Sequence, residues 1–435
     1  MRESRSKYDV VVAGGGSAGV AAAVAAARIG ARTLLVEAAG FLGGAATLRN
    51  VLTYCGLYTL DERPRPAVGG VAQEVLAELR GLGALIGPMR FRGVFVVFDP
   101  EAVKLVLDRI ALASGADILL HALVTGAERD GNKIRSVTVQ DRSGPRRIAA
   151  DAFVDASGDG DLAYFGGAST RYGNRGFINM GTLGMRFGGV PRGAEVSAAR
   201  WGEAIRAAKA RGVRHLSKEK GLVVRLPISG DVVAYLVGEE YDARDAASVA
   251  GAEMRGRGQA WAYLEVIRGI PGHERAYLVS TGPEFGTRES RHINAVYQVR
   301  AEDLRTGARF DDCVALGAWA SEFHDPTTLD SSFAKPGKGT YDIPLRALMS
   351  RDTVNLFAAG RTADGDQIAG ASLRVMGTAF ATGQAAGIAA AHCAADGSVS
   401  ADRVRKALAA QGALLDADRL PDAVPMDETS MEVPA

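Results

Sequence analysis

Three short segments gather side chains that can move protons or hold anions: TRESRHI (287–293), EFHDP (322–326) and TYDIPLR (340–346). His324 is of the one side-chain type that ordinarily titrates near neutrality, which suits a group that takes or gives a substrate proton. Arg288, Arg291 and His292 can anchor a carboxylate or stabilise an enolate, and Tyr341 can donate or relay a proton. A plainer reading has His324 and Asp325 capping the turn that holds Pro326, with the arginines paired to Glu289 and nearby acids. Residue type alone does not choose between them. The choice depends on the ligand that the rest of the chain is built to hold.

That ligand is signalled at both ends of the sequence. Gly14, Gly16 and Gly19 form G-x-G-x-x-G between the β-branched run YDVVVAG (8–14) and an alanine-rich helical stretch reaching about Ile29. Glycines there, with Ser17 and Ala18, permit a tight turn and close approach of a pyrophosphate to a helix N-terminus. Glu37, followed by Ala38, ends the next apolar run, ARTLLVE (31–37), where a carboxylate can accept both ribose hydroxyls of an adenosine. A rival pattern overlaps: Gly15, Ser17 and Gly19 also read as the G-x-S-x-G nucleophile elbow of a serine hydrolase, which then needs a histidine such as His392. PGKGT (336–340) lacks the first glycine and the Ser or Thr of a P-loop. A second small-residue run, AGRTADGDQIAGASLRVMG (359–377), leads into an apolar helix expected from about Ala371 to Ala394. A nicotinamide dinucleotide has no need of this second grip, whereas a flavin has a ribityl chain and a tricyclic ring still to be held. Gly360 would let the chain pass close to the ribityl group, and Thr362 or Asp364 would bond its hydroxyls. The helix N-terminus near Gly370, Ala371 and Ser372 would stabilise negative charge on the reduced ring. The plain alternative makes Ser372 an ordinary cap.

The elements around these motifs predict an α/β protein: a discontinuous Rossmann-like domain (1–170 and 341–400) carrying an inserted α+β substrate domain (171–340), then a C-terminal helix and frayed tail (401–435). DPEAVKLVLDRIALAS (99–114) has helical spacing with Pro100 at its start, ADILLHALVTGAERD reads as one strand, and IRSVTVQD and DAFVDAS as two more. Within the insertion, GLVVRLPI and DVVAYLVG flank Ser229 and Gly230 as an antiparallel pair, and FINMGTLGMRFGG reads as strand. RWGEAIRAAKARGVRHLSKEK and AASVAGAEMRGRGQAWAYLEVIRG read as helices; the basic character of the first suits a solvated face. With 51 Lys plus Arg against 50 Asp plus Glu, the chain has no broad field for nucleic acid or anionic membrane, so small molecules are the expected partners. Three dispersed cysteines and six histidines without metal spacing predict neither a disulfide framework nor a metal site. No apolar leader or membrane-length span is visible, and a cytoplasmic location is expected.

Together, VVVAGGGSAGVAAAVAAARIGARTLLVE, FLGGAAT, FVDASGDGDLA, EFGTRESRHI, FHDP, YDIPLRAL and LFAAGRTADGDQIAGASLRVMGTAFATGQAAGIAAA resemble the FAD-dependent oxidoreductase family of the glutathione-reductase-like superfamily, related to fumarate reductase flavoproteins, over residues 8 to about 395. The resemblance implies noncovalent FAD. It puts Gly14, Gly16, Ser17 and Gly19 on the pyrophosphate, Glu37 on the ribose, and Gly43, Gly44, Ala45 and Thr47 near the cofactor's middle. It puts Val124 by the adenine, Ser157, Gly158 and Asp159 near the dinucleotide, and Gly360, Arg361 and the turn from Gly370 to Arg374 along ribityl and ring. The family often has Ser soon after the Gly-Arg pair, where this chain has TADGDQ. The last motif also departs from the LxGDAAH form of aromatic-ring flavin monooxygenases. Hydride exchange between a small substrate, with anions among the candidates, and flavin N5 is the expected activity, with an unspecified electron acceptor and oligomeric state. A non-catalytic FAD-binding redox sensor or accessory subunit is the alternative.

Overall fold

A computed structural model describes residues 7–325 and 331–427 of the chain. The apolar run at the start forms β1 (Lys7–Ala13) and is buried along most of its length because strands flank it on both sides. A glycine turn leads into α1 (Ser17–Arg28), and β2 (Thr33–Val36) returns parallel to β1. The turn is tight because a Cβ on Gly19 would lie 1.7 Å from the Gly14 carbonyl oxygen. After the short α2 (Ala45–Leu48) come β3 (Thr53–Cys55), α3 (Val71–Gly81), β4 (Leu85–Phe91), β5 (Gly93–Phe98) and α4 (Pro100–Ala113), the last capped by Asp99. The segment 116–130 is two strands rather than one: β6 (Asp117–Leu119) and β7 (Leu123–Asp130). His121, at φ 55°, turns the chain between them, and the amides of His121 and Ala122 donate to Ala39 and Glu37 at the end of β2. β8 (Lys133–Asp141) and β9 (Gly144–Asp155) complete a sheet ordered β6-β2-β1-β9-β8-β7.

α5 (Asp161–Phe165) and β10 (Thr170–Tyr172) lead to a second core. There β11 (Met185–Gly188), β12 (Val223–Arg225), β13 (Val232–Ala234) and β14 (Tyr277–Thr281) make an antiparallel sheet ordered β12-β13-β11-β14. α6 (Ala198–Ala210) and α7 (Ala246–Arg268) cover it, and Phe187, Trp201 and Tyr263 fill the space between. β15 (Arg291–Ile293) pairs back to β10, and α8 (Ala301–Thr306) follows. β16 (Cys313–Gly317) and β19 (Tyr341–Pro344) pair, as do β17 (Ser321–His324) and β18 (Ser331–Ala334).

β20 (Leu356–Ala358) then rejoins the first sheet, parallel to the end of β9. The apolar stretch beyond it is not one helix from 371 to 394. It divides into α9 (Gln367–Leu373), capped by Asp366, and α10 (Met376–Asp396), with the break at Arg374 and Val375. The break has a tertiary cause: Ser372 accepts a hydrogen bond from Tyr341 and donates one to the Trp319 carbonyl, which fixes α9 against β19 and the chain between β16 and β17. α10 lies directly against α1, since a Cβ on Gly383 or Gly387 would come within 2.1 Å of the carbonyl oxygen of Ala18 or Ala22. α11 (Ala401–Ala410) follows, and the chain then crosses Pro64 and Pro88 through the amides of Val424 and Asp427. Among the described residues, no helix is long and apolar enough to cross a membrane, and no group of three or more His, Cys, Asp or Glu could hold a metal ion. Asp427 is the only described residue of the tail DETSMEVPA (427–435), and Pro326 also lies outside the described residues.

Candidate functional site

β1, β2, β9 and β20 point their C-terminal ends at one cavity of about 250 Å³. Gly14, Gly16, Ser17 and Ala18 line it where α1 begins. No side chain caps α1, so its first-turn N–H groups are left for an anionic occupant, and the buried Ser17 Oγ has no partner. Glu37 reaches the same space; its Oε2 accepts from the Gly15 amide at 2.6 Å and its Oε1 from the Ala39 amide at 2.7 Å. Held this way, the carboxylate keeps further lone pairs for ribose hydroxyls. Ala38 and Val124 lie along the wall with Glu37, and Ser157, Gly158 and Asp159 stand at the end of β9. Gly44 and Ala45 close the opposite side, where a Cβ on Gly44 would lie 2.9 Å from the Gly16 Cα. Gly19, Gly43 and Thr47 stand behind the wall: Gly43 donates to the Gly15 carbonyl at 2.9 Å, and Thr47 to the Leu42 carbonyl at 2.8 Å.

At the far end the cavity meets Gly360, Arg361, Arg374 and Met376. The helix N-terminus reaching it is that of α10, at Met376, again with no side-chain cap. Gly370, Ala371 and Ser372 do not supply it; they are buried within α9, away from the wall. Thr362 and Asp364 are committed elsewhere. Thr362 donates to the Asp155 carbonyl at 2.8 Å, while Asp364 accepts from Arg171 at 2.6 Å, the Ala295 amide at 2.8 Å and Gln298 at 2.9 Å.

The five proton-moving and anion-holding candidates separate into two groups. Arg291, His292 and Tyr341 are structural. Arg291 donates to Asp161 at 3.0 Å and to the Asp159 carbonyl at 3.1 Å, with its guanidinium over Tyr164. His292 is buried between the Ala363 carbonyl, 3.0 Å from Nδ1, and Glu289 Oε1, 3.2 Å from Nε2. Tyr341 is fully buried with its hydroxyl on Ser372. His324 and Arg288 do come together, with Arg374 beside them. His324 has a buried, unpartnered Nδ1, and burial followed by the charges of Arg288, Lys218, Arg374 and Arg92 pushes its pKa well below the usual value. The Arg288 guanidinium donates to the Met180 carbonyl, and burial together with Arg374 pulls its pKa down to about 10. Arg374 donates to the Glu322 carbonyl at 2.7 Å and keeps a buried Nε with no partner.

The family model of FAD dependent oxidoreductases matches residues 9–409. The chain belongs to this family. It is therefore an FAD-dependent oxidoreductase, and the cavity suits FAD: two uncapped helix N-termini, α1 and α10, open onto it, with the orphaned Ser17 hydroxyl at one and the orphaned Arg374 Nε at the other. None of the curated proteins matches the sequence. Similar solved structures include p-nitrophenol 4-monooxygenase PnpA from Pseudomonas putida DLL-E4 (11% identity, TM-score 0.51, 93% of this chain and 84% of that one). A geranylgeranyl bacteriochlorophyll reductase-like protein from Thermoplasma acidophilum is another (14% identity, TM-score 0.48, 93% and 83%). At 11% identity the likeness to the monooxygenase is one of fold.

The serine hydrolase reading fails on geometry. Ala18 and Ala22 of α1 lie against Gly383 and Gly387 of α10, so the helices run side by side in the same direction. His392 is ten residues beyond the level of Ser17, roughly 15 Å along the axis at about 1.5 Å per residue.

The cavity is also lined by residues to which the sequence reading gave no role. Arg49, Asp161, Glu284 and Met376 all line the cavity. Arg49 directly follows α2, two residues beyond FLGGAAT, whereas Asp161 lies inside FVDASGDGDLA and Met376 inside the 359–377 run. Glu284 opens the EFGTRESRHI motif, three residues beyond β14, and nothing in its type pointed to this cavity.

Proposed function

We propose that this oxidoreductase moves a hydride between a C–H bond of a small anionic substrate and N5 of FAD, with the substrate held between the 171–340 segment and the Arg374 end of the cavity. The observation that carries this reading is the convergence of Arg288, Arg374 and His324, two of them with buried ring or guanidinium nitrogens lacking a partner. A guanidinium nitrogen without a partner in a dry site is costly unless a ligand supplies the acceptor. Arg288 and Arg374 would bind the substrate's negative charge, and their forked donors suit a carboxylate. His324, kept neutral by burial and these cations, would accept or return the substrate proton at Nδ1. Bound FAD supplies the two-electron acceptor. Gly14, Gly16, Ser17 and Ala18 would hold its pyrophosphate, Glu37 and Ala38 its ribose, Val124 its adenine, and Gly360, Arg361 and the start of α10 its ribityl and ring.

Anaerobic bleaching of the flavin near 450 nm tests this reading. Hydroxy acids or amino acids should reduce the bound FAD where the matching neutral alcohols and amines do not. Reduction by dithionite but by no anionic compound, with His324→Ala behaving as the parent, would remove the assignment.

A further inference from the structure

Arg49 has a position that its protein contacts do not account for. It follows α2 directly, its side chain is 15% exposed, and it lines the cavity beside Gly44 and Ala45. Its Nε donates to the Phe285 carbonyl at 3.1 Å, and its terminal nitrogens make no hydrogen bond; the nearest carboxylate, Glu284, is 3.9 Å away and half exposed. Burial, then the charge of Arg361, works against this guanidinium, with Asp159 and Glu284 offering partial relief. Its forked face is thus directed at a space whose other wall is the uncapped N-terminus of α1.

The backbone here is gripped from the insertion. Gly184 and Gly282 lie so close that a Cβ on the first would be 2.7 Å from the Arg49 carbonyl oxygen, and on the second 2.9 Å from its carbonyl carbon. The Glu284 amide donates to the Leu48 carbonyl at 2.9 Å, and Asn50, at φ 48°, reaches Ser280 at 3.2 Å. The residues that fix Arg49 therefore lie just before β11, in β14 and in the chain just after β14.

We infer that Arg49 binds the pyrophosphate of FAD, and that residues 48–50 tie this contact to the docking of the antiparallel sheet on the nucleotide-binding part. Two anionic phosphates placed between the α1 N-terminus and Arg49 satisfy both sets of free donors. Glu284 is then a competitor for Arg49 rather than its partner. This inference is independent of the substrate assigned above, because it concerns nucleotide binding alone.

Calorimetric titration of the full chain, after FAD removal, tests it with FAD, ADP and riboflavin at pH 8. Arg49→Gln should weaken FAD and ADP alike by about ten- to a hundredfold, the effect of a lost charge-assisted hydrogen bond, while riboflavin, which has no phosphate, is unchanged. Arg49→Lys should recover part of the loss. Glu284→Gln should tighten ADP, and because it leaves Arg49 in place it tests the idea even if Arg49→Gln folds poorly. Gly282→Ala, though outside the cavity wall, should weaken ADP by displacing the Arg49 backbone. Unchanged ADP affinity in Arg49→Gln, equal losses for ADP and riboflavin, or weaker ADP binding in Glu284→Gln would overturn the assignment. Parent-like ADP binding by Gly282→Ala would overturn the coupling to docking.

Discussion

Replacing Gly383 by alanine puts one methyl group between the two helices whose N-termini face the cofactor cavity. The added carbon would stand 2.1 Å from the Ala18 carbonyl oxygen and 2.7 Å from its carbonyl carbon. That is more than roughly 1 Å inside ordinary contact, so α1 and α10 must separate. Both helices are buried here, and overpacking of this kind costs about 1–3 kcal/mol. Against this stands the gain of about 0.8–1.0 kcal/mol that alanine brings over glycine in a helix interior. The net expectation is a loss of up to about 2 kcal/mol, together with weaker FAD binding because the α1 N-terminus shifts relative to Met376. Gly258, an exposed glycine in α7 with nothing within 4 Å of its virtual Cβ, supplies the control. There the same substitution should stabilise by up to about 1 kcal/mol. Urea unfolding of the two variants, with FAD affinity measured in parallel, should give opposite signs. If Gly383→Ala is as stable as Gly258→Ala and keeps parental FAD affinity, the helix contact does not position the site.

Further expectations concern protonation and proton transfer. Burial alone would raise the Glu289 carboxyl, but hydrogen bonds from His292 and Asn179 outweigh it and hold the pKa at about 2. A carboxyl depressed in the folded state stabilises fully above its unfolded value, about 4.3, and loses that contribution as pH falls through the folded one. Glu289→Gln should therefore flatten the acid limb of a stability profile between about pH 4 and 2; an unchanged limb would refute the role. Asp161 is raised to about 6 by burial, then by Asp159 and Asp155, so it loses its charge as pH falls through that value. FAD affinity should then increase on going from pH 7.5 to 5, and Asp161→Asn should be flat across this range; a parallel slope in both proteins would count against the carboxylate. His324→Gln should leave FAD absorbance intact and slow substrate-driven bleaching by about 10²–10⁴-fold, whereas parental rates would deny it a proton-transfer role.

The parts of the fold readable in sequence are those where local chemistry and final structure agree. β1, α1 and β2 follow from a β-branched run, a glycine turn and a helix-stopping Gly30, and the cavity wall from Gly14 to Ala18 came with them. The helix break at Arg374 had no such signal, because no proline or glycine directly precedes it and Ser372, the one capping type nearby, does not cap the second helix; the hydrogen bonds of Ser372 to Trp319 and Tyr341, residues 53 and 31 positions upstream, impose it. His292 and Tyr341 attracted notice as titratable types, yet Glu289, Ala363 and Ser372 consume their polar atoms. Whether a histidine faces a ligand or a buried glutamate is a property of long-range pairing, which periodicity does not encode. The same limit hid Arg49, whose direction is set by glycines 135 and 233 residues later.

The seam between α1 and α10 also constrains how the protein is made. Synthesis delivers the alanine-lined flank of α1 some 350 residues before the helix that covers it. Until Gly383 and Gly387 leave the ribosome, that flank must stay solvent-exposed or be shielded by a chaperone, and half of the flavin's grip does not exist. A nascent chain truncated before α10 should accordingly retain no FAD, even though its glycine fingerprint is complete. Cofactor loading thus becomes a post-synthetic event that marks completed chains from unfinished ones.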